Sequence, residues 1–382
     1  MITQTTVDQR VSVAWLALLA TPTALGANAA TTAIPVLATD LGVSTGAATW
    51  IATAFGWAAL VGTPVTAALV RARGARVAVV VNSVVVVLGT VLVLVAPGLP
   101  ALAAGRALQA AGGGGLVVLG YGLAGTARRT GVLAASFGLV GACGPVAGAA
   151  LAEFSWRAAL CLSLLGLLAV PAVLRRAPAR QSASAGDGVG LVLVLALLSA
   201  IVLVPRFPWV LVAVAGLGVL VTWHVRLRPE GFVPLDVVRT RAFRSSAIVV
   251  CAISTSYFVL LYTVPRLLER QWAVDRIGMS ALVAMAAGSV AAMVLARWPA
   301  WFVPVVAGVL AVVLVLATPW PVAWVAALAF AVFASATGMG WAASRATSAV
   351  APGDRAVTSG LVTLSYQLGG AAGPAIAALT IG

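Results

Sequence analysis

The sequence predicts an all-α, polytopic membrane protein with about 13 transmembrane helices. Of its 382 residues 62% are hydrophobic and only 8% are charged, whereas soluble domains carry about 25% charged residues. Uncharged runs of about 20 residues, the length that crosses a bilayer, recur along the whole chain. Because backbone polar groups in hydrocarbon must be bonded internally, these runs are expected to be helices.

Thirteen apolar segments are expected to span the membrane. The first begins just after Arg10 and is too long for the apolar core of a signal peptide, so it is interpreted as a spanning helix. The segments lie at 11–39, 46–70, 77–97, 99–124, 131–152, 156–174, 189–205, 208–225, 244–265, 277–296, 301–318, 320–343 and 356–381.

The arginines indicate the orientation of these segments. All 23 basic residues are arginine, and a cytoplasmic N-terminus places 17 of them on the inner side and 5 on the outer side, with Arg106 inside a segment. This asymmetry follows the positive-inside rule. The sequence therefore predicts a multi-pass protein of the inner (plasma) membrane whose basic charge contacts membrane lipids, not nucleic acid.

An internal repeat divides the chain. Residues 136–145 (SFGLVGACGP) and 365–374 (SYQLGGAAGP) are identical at six positions with an offset of 229, and Pro35 matches Pro265 with an offset of 230. Two matches at nearly one offset predict two related six-helix halves in parallel orientation.

The repeat predicts three regions. They are an N-terminal six-helix bundle at 1–176, an inserted helix pair with a cytoplasmic linker at 177–242, and a C-terminal bundle at 243–382. The last bundle would hold five helices, so its sixth helix is expected to be missing, either naturally or by truncation.

The composition disfavours an enzyme. The chain has no lysine for a phosphate-binding loop or a Schiff base. His224 is its only histidine, and Cys143, Cys161 and Cys251 are far apart, so no metal-ligand spacing can be assembled. We therefore predict no catalytic residues, no cofactor and no metal site.

Two helices carry the residues of greatest interest. In GRALQAAGGGG at 105–115, Arg106 and Gln109 share one helical face; a buried arginine is a functional candidate, and the alternative is that Arg106 reaches the outer interface. In the fifth segment, small residues and a proline favour close packing and bending. With their counterparts in the repeat, they are Gly141, Gly144, Pro145, Gly148, Gly373 and Pro374.

These segments resemble signatures of the major facilitator superfamily, in particular of its fourteen-helix drug:proton antiporter branch. The resemblance covers nearly the whole chain and implies a carrier that works by alternating access, with Arg106 linked to proton coupling. A weaker match is ALVRARGAR at 68–76, which keeps Gly74 and Arg76 but has Arg71 at the family's acidic position. A merely basic inner loop is the alternative there.

The first helix departs from that branch. LGANAATTAIP at 25–35 has Gly26 where drug exporters often have aspartate, and no acidic residue lies in mid-membrane. A proton-coupled pump usually needs an intramembrane group that titrates. His224 could titrate, but it lies beside Arg226 at the inner end of the eighth segment.

The resemblance also implies which helices line the substrate cavity. Their polar and aromatic residues suit a bulky, partly apolar ligand, and interfacial anchoring is the alternative for the aromatic ones. These candidates are Asn28, Thr31, Thr32, Trp57, Tyr257, Tyr366 and Gln367. With a buried arginine, a neutral or anionic substrate is favoured.

The leading prediction is a monomeric exporter of a small, hydrophobic, drug- or antibiotic-like molecule, with protons as a second partner. The alternatives are an uncoupled carrier of the same fold and a degenerate, non-transporting membrane protein. At the outer surface, Glu153 and Arg157 are expected to form an exposed ion pair.

Overall fold

The computed structural model describes most of the chain, and all regular secondary structure in the described part is helical. Eight described helices are long and apolar enough to cross a membrane. The described residues are 11–48, 50–177, 187–204, 207–268, 271–272, 274–295, 302–351 and 354–381.

Every predicted apolar segment is helical, which confirms the all-helical class, while the number of membrane crossings stays a prediction. Three of the apolar helices are shorter than a full span, namely Gly188–Leu203, Met279–Leu295 and Phe302–Ala317. Two predicted segments are also subdivided: the fifth breaks at Cys143, and the sixth is three short helical pieces in succession.

The chain folds into two compact units. Unit 1 comprises residues 1–125 and 144–186, and unit 2 comprises 126–143 and 187–382. The first half of the fifth segment therefore groups with unit 2, and so does the inserted helix pair. The predicted division into three regions remains a prediction beside this grouping.

Unit 1 is built around one long glycine-rich helix, α5. Its helices are α1 (Val13–Asp40), α2 (Thr45–Ala48), α3 (Trp50–Arg73), α4 (Ala75–Val95), α5 (Leu99–Ala124), α7 (Gly144–Ala152), α8 (Trp156–Leu160), the 3-10 helix η1 (Leu162–Ala169) and α9 (Val170–Arg176).

Unit 2 contains the remaining described helices, of which α13 (Arg241–Leu268), α16 (Pro321–Ser348) and α17 (Arg355–Ile381) pack together. They are α6 (Ala127–Ala142), α10 (Gly188–Leu203), α11 (Val210–Leu227), α12 (Leu235–Arg239), α13 (Arg241–Leu268), α14 (Val274–Leu295), α15 (Phe302–Ala317), α16 (Pro321–Ser348) and α17 (Arg355–Ile381).

Glycines in α5 allow its two neighbours to approach closely. A Cβ atom added to Gly112 would lie 2.5 Å from the carbonyl oxygen of Asn82 in α4, and one added to Gly114 would lie 2.8 Å from that of Ala59 in α3. Small residues permit such backbone contact between helices that have no hydrophobic drive to associate in lipid. The packing fixes α5, and with it Arg106, between α3 and α4.

The ion pair formed by Arg157 differs from the predicted one. Arg157 pairs with Asp40 at the end of α1, with 3.9 Å between Nη1 and Oδ2, and donates a hydrogen bond to the carbonyl of Ala96. The indole Nε1 of Trp156 also donates to Asp40, at 2.9 Å. The expected pairing with Glu153 was wrong because α7 ends before that residue, so the two side chains do not share a helix face.

Candidate functional site

Arg106 lies in the interior of unit 1. Its side chain has no solvent exposure, so it does not reach the interface as the alternative interpretation required. The guanidinium carbon lies 4.3 Å from the centroid of the Phe55 ring in α3, a geometry in which the ring face stabilises the cation. The charge is therefore held inside the helix bundle.

Neutral oxygens accept hydrogen bonds from both terminal nitrogens of this guanidinium. Nη1 donates to Gln109 Oε1 at 2.9 Å and to the carbonyl of Leu160 at 3.3 Å, and Nη2 donates to the carbonyl of Gly26 at 3.1 Å. Arg106 thus connects α5 with α1 and α8. Among the described residues no carboxylate pairs with it, and its Nε has no hydrogen-bond partner.

Gln109 extends the network to α4. It is fully buried, and its Nε2 donates to Thr90 Oγ1 at 2.9 Å. The Thr90 hydroxyl donates in turn to the carbonyl of Val86 at 2.8 Å. The predicted pair of Arg106 and Gln109 is therefore brought together, and four helices meet through polar contacts in an otherwise apolar interior.

Gly26 leaves room for Ser163. A Cβ atom at Gly26 would collide with Ser163 Oγ and would lie 3.1 Å from the Ser163 backbone nitrogen. Ser163 is 4% exposed, and its hydroxyl has no hydrogen-bond partner among the described residues. Glycine at position 26 thus leaves the Ser163 hydroxyl in place, and the Gly26 carbonyl, not a carboxylate, faces Arg106.

Two predicted glycines hold α7 against α1. A Cβ atom at Gly144 would lie 2.6 Å from Asn28 Cβ, and one at Gly148 would collide with the carbonyl oxygen of Ala29. Thr32 Oγ1 donates to the carbonyl of Pro145 at 3.2 Å. Asn28 and Thr32 therefore lie on the face of α1 that α7 covers.

The equivalent contact occurs in unit 2. A Cβ atom at Gly373 in α17 would collide with Phe258 Cβ in α13. Gly373 matches Gly144 at the offset of 229, and Phe258 matches Asn28 at the offset of 230. The same close contact between equivalent positions supports the internal repeat.

Tyr366 forms hydrogen bonds through both its backbone carbonyl and its side-chain hydroxyl. Its carbonyl accepts a hydrogen bond from Ser254 Oγ at 2.7 Å, and its hydroxyl lies 2.7 Å from Ser335 Oγ. The ring of Phe258 lies between it and Tyr257, at centroid distances of 6.4 Å and 4.8 Å. Two predicted substrate residues of unit 2 thus belong to one aromatic cluster.

The other predicted residues are more scattered. Trp57 on α3 is 40% exposed, and Gln367 in α17 is partly buried. Gly141 is buried in the last turn of α6, before the break at Cys143. The side chains of Thr31 in α1 and Pro374 in α17 lie outside the described part of the structure.

Gly74 and Arg76 shape the junction of α3 and α4. Gly74 has φ of +88°, which other residues rarely adopt, and connects the two helices without a further residue. Arg76 Nε donates to the carbonyl of Ala177, directly after α9, at 2.7 Å. The residues kept from the weak loop signature therefore have structural roles.

His224 bonds to an acid and not to the Arg106 network. Its Nε2 lies 2.9 Å and 3.0 Å from the two carboxylate oxygens of Asp187. The same carboxylate accepts hydrogen bonds from the backbone N–H groups of Gly190 and Phe232. Burial would raise the pKa of Asp187, but these hydrogen bonds outweigh it and leave the pKa lowered.

A sequence profile described as the Major Facilitator Superfamily matches residues 16–374. The chain belongs to the major facilitator superfamily. It is therefore a multi-pass membrane transporter, and superfamily carriers generally bind a small-molecule substrate, often with protons, and catalyse no reaction on it. No curated protein sequence matches the chain significantly.

Solved superfamily structures share the fold. The human organic anion transporter MFSD10 (TETRAN) is 15% identical with a TM-score of 0.65, covering 96% of this chain and 92% of its own. The E. coli fucose:proton symporter FucP is 13% identical with a TM-score of 0.62, covering 96% and 91%. The proton:xylose symporter XylE, bound to 6-bromo-6-deoxy-D-glucose, is 14% identical with a TM-score of 0.55, covering 96% and 88%.

Several members of the site were not found from the sequence. Thr90 and Ser163 are hydroxyls flanked by apolar residues, and Ser335 lies among small residues of α16. A lone polar residue in such a run is a usable signal, because hydroxyls in transmembrane helices bond across or along helices. The carbonyls of Gly26 and Leu160 carry no signal, since every residue has one.

Proposed function

We propose that this superfamily transporter exports a small, hydrophobic, drug- or antibiotic-like molecule by alternating access. The observation that carries the proposal is the fully buried Arg106, whose hydrogen bonds join α1, α5 and α8. A cation at this depth is costly and is retained where it serves transport. The match to the antiporter signatures supports export, and the aromatic cluster of unit 2 supports a bulky ligand.

The charge of the site favours a neutral or anionic substrate. The described partners of Arg106 are two carbonyls, an amide oxygen and an aromatic ring. These groups stabilise the cation without cancelling its charge. A cationic substrate would add repulsion in a low-dielectric interior, whereas an anion would gain attraction. The organic anion transporter TETRAN, which shares the fold, is consistent with this preference.

Proton coupling forms part of the leading proposal, and an uncoupled carrier is the second candidate. The observation that favours the uncoupled carrier is Gly26, whose carbonyl occupies the position facing Arg106 where the related branch often has an acid. An arginine does not exchange its proton at cellular pH. Coupling would therefore need a group other than Arg106 to take up the proton.

The test is efflux of a panel of dyes and hydrophobic antibiotics, anionic and cationic, from pump-deficient cells. The native chain is compared with Arg106→Ala and Arg106→Lys at matched membrane expression, with and without a protonophore. Arg226→Ala, which removes an exposed arginine at the end of α11, is the control for a general loss of positive charge.

Efflux that is lost with either Arg106 variant and with the protonophore, but kept with Arg226→Ala, supports the proton-driven exporter. Efflux that persists in protonophore and still needs Arg106 supports the uncoupled carrier. A native chain that exports no compound of the panel supports the non-transporting alternative, for which the altered inner loop with Arg71 is the motivating feature.

A further inference from the structure

Four arginines lie together at one end of unit 1. Arg73 is the last residue of α3, and Arg76 is in the first turn of α4, which only Gly74 separates from α3. Arg175 and Arg176 are in the last turn of α9. The hydrogen bond from Arg76 to the carbonyl of Ala177 joins the start of α4 to the end of α9. We refer to Arg73, Arg76, Arg175 and Arg176 as the arginine face.

The arginine face has no acidic neighbour among the described residues of unit 1. The described acids of this unit are Asp40 and Glu153. Asp40 contacts Arg157, which in turn bonds Ala96 at the other end of α4. Since α4 has 21 residues at about 1.5 Å per residue, roughly 30 Å separates the acid from the arginine face.

A second arginine-rich segment differs in this respect. From the last turn of α11 to the first turn of α13 in unit 2, Glu230 and Asp236 lie among five arginines, namely Arg226, Arg228, Arg239, Arg241 and Arg244. Acids are thus interspersed with the arginines there and not with those of the arginine face. Arg73, Arg76, Arg175 and Arg176 are moreover exposed, so their guanidinium groups are accessible to a ligand.

We propose that the arginine face binds the phosphate group of an anionic phospholipid, such as phosphatidylglycerol. A guanidinium presents a planar fork of donors that matches two phosphate oxygens. Helix ends of a membrane-spanning unit lie at the depth of the lipid headgroups, where clustered arginines attract anionic lipids. The positive-inside rule accounts for the number of arginines on one side; the proposal concerns their convergence into one site.

The adjacent surface of α4 favours a lipid over a soluble phosphate compound. Directly after Arg76, α4 exposes an apolar stripe whose members are 37% to 56% exposed. Its members are Val77, Val80, Val81, Val84, Val87, Leu88 and Val91. A phospholipid that placed its phosphate on the arginines would lay its acyl chains along this stripe. The two surfaces together match the two parts of one amphipathic ligand.

The test uses the purified full chain in neutral detergent. Phosphatidylglycerol or phosphatidylcholine is added, and bound lipid is counted by native mass spectrometry while thermal stability is followed. The variant is Arg73→Gln with Arg175→Gln and Arg176→Gln; Arg76 is kept because it bonds Ala177. The control is Arg226→Gln with Arg228→Gln and Arg241→Gln, which removes as many exposed arginines from unit 2.

Each exposed arginine lost is expected to weaken phosphatidylglycerol binding about fivefold, so the triple variant loses about a hundredfold. Phosphatidylglycerol binding by the control triple variant is expected to stay unchanged. Phosphatidylcholine binding is expected to stay unchanged in both triple variants. Lysine at the same three positions restores part of the binding, because charge returns without the planar fork. That partial rescue also shows that the glutamine variant fails through charge and not through misfolding.

Equal loss of phosphatidylglycerol in both triple variants would overturn the proposal, since the attraction would then be a diffuse property of net charge. Equal binding of phosphatidylcholine would show that the net charge of the lipid headgroup is not recognised. Equal thermal protection by glycerophosphate, which has no acyl chains, would assign the site to soluble phosphates. None of these readouts depends on transport, so they stand apart from the proposed function.

Discussion

Gly26 and Ser163 pack so closely that a side chain at Gly26 would displace the Ser163 hydroxyl. A Cβ atom there meets Ser163 Oγ, and that hydroxyl has no partner among the described residues. An aspartate at this position, which the drug exporters that the sequence resembles often have, would require Ser163 to move. An acid beside Arg106 is therefore best introduced together with Ser163→Ala.

Gly26→Asp alone is expected to destabilise the protein by about 1–3 kcal/mol through overpacking. Combined with Ser163→Ala, the variant should regain stability, because the colliding hydroxyl is gone and the new carboxylate can pair with Arg106. Thermal unfolding of both variants in detergent measures this, and the pH dependence of efflux in the double variant then tests for a gain of coupling.

Ser163→Ala by itself is the control. Removing a buried hydroxyl that makes no hydrogen bond should leave stability unchanged or slightly raised. If Gly26→Asp is as stable as the native chain, the contact with Ser163 does not constrain the site. If the double variant stays as unstable as the single one, the cost comes from the buried carboxylate.

The Asp187 carboxylate makes the stability of the fold depend on pH. Its pKa is lowered in the folded state by hydrogen bonds from Phe232, Gly190 and His224, against the opposing effect of burial. A carboxylate whose folded pKa lies below its unfolded value of about 3.9 stabilises the fold above that value. The contribution is lost as pH falls through the folded pKa.

Asp187→Asn is therefore expected to lower the melting temperature at neutral pH and to flatten its decline below about pH 4. Asp236→Asn is a suitable comparison, since it removes an acid of the neighbouring α12. Melting curves of the three proteins between neutral and acidic pH provide the measurement. Parallel declines in the native chain and Asp187→Asn would contradict the role given to this carboxylate.

At the scale of the helices, glycine contacts join the pairs α1–α7 and α13–α17 in the same way. Gly148→Ala would force a methyl group into the carbonyl of Ala29, and Gly373→Ala would force one into Phe258. Because the obstructing atoms are backbone or Cβ, neither can rotate away. We expect a loss of about 1–3 kcal/mol for each variant, measured as a lowered melting temperature.

Gly216→Ala provides the matched control for these two variants. Gly216 lies inside α11, and a Cβ atom added there meets nothing within 4 Å. Alanine should therefore stabilise the helix by about 0.5–1 kcal/mol. Equal destabilisation by all three substitutions would mean that helix flexibility, and not close packing, explains the glycines.

The fifth segment shows which features of a helix the sequence could predict and which it could not. Its glycines and Pro145 predicted a bend, and the structure has a break two residues earlier, at Cys143, whose N–H bonds the carbonyl of Val140 three residues back. Pro145 explains this displacement, because its missing N–H and its ring disturb the turn before it. Apolar periodicity could not predict that the two halves group with different units.

At the scale of the whole molecule, composition was sufficient for the helical class, and sequence motifs were sufficient for the superfamily resemblance and for the pair of Arg106 and Gln109. The partners of Arg106 were not predictable, since carbonyls of Gly26 and Leu160 are brought to it only by packing. Thr90 could have been found as a hydroxyl in a run of valines. The pairing of Asp187 with His224 spans 37 positions and depends on how α10 and α11 meet.

The arginine distribution makes a prediction about the orientation of the whole chain. A reporter inserted between α11 and α12, near Glu230, should report the cytoplasm, and one inserted between α15 and α16, near Pro319, should report the outer side. Alkaline phosphatase and green fluorescent protein, which are active on opposite sides, provide the readout. The same compartment for both insertions, or the reverse assignment, would contradict the predicted orientation.

Arg106 has a consequence for the electrical behaviour of the protein. Its charge is permanent at cellular pH, and its bonds to Gly26 and Leu160 make it move with α1 and α8. A rearrangement that shifts this group along the membrane normal carries one elementary charge through the membrane field. The free-energy change is about 2.3 kcal/mol per 100 mV for a full crossing. The membrane voltage would then bias which of its states the carrier occupies, whether or not a proton accompanies the substrate.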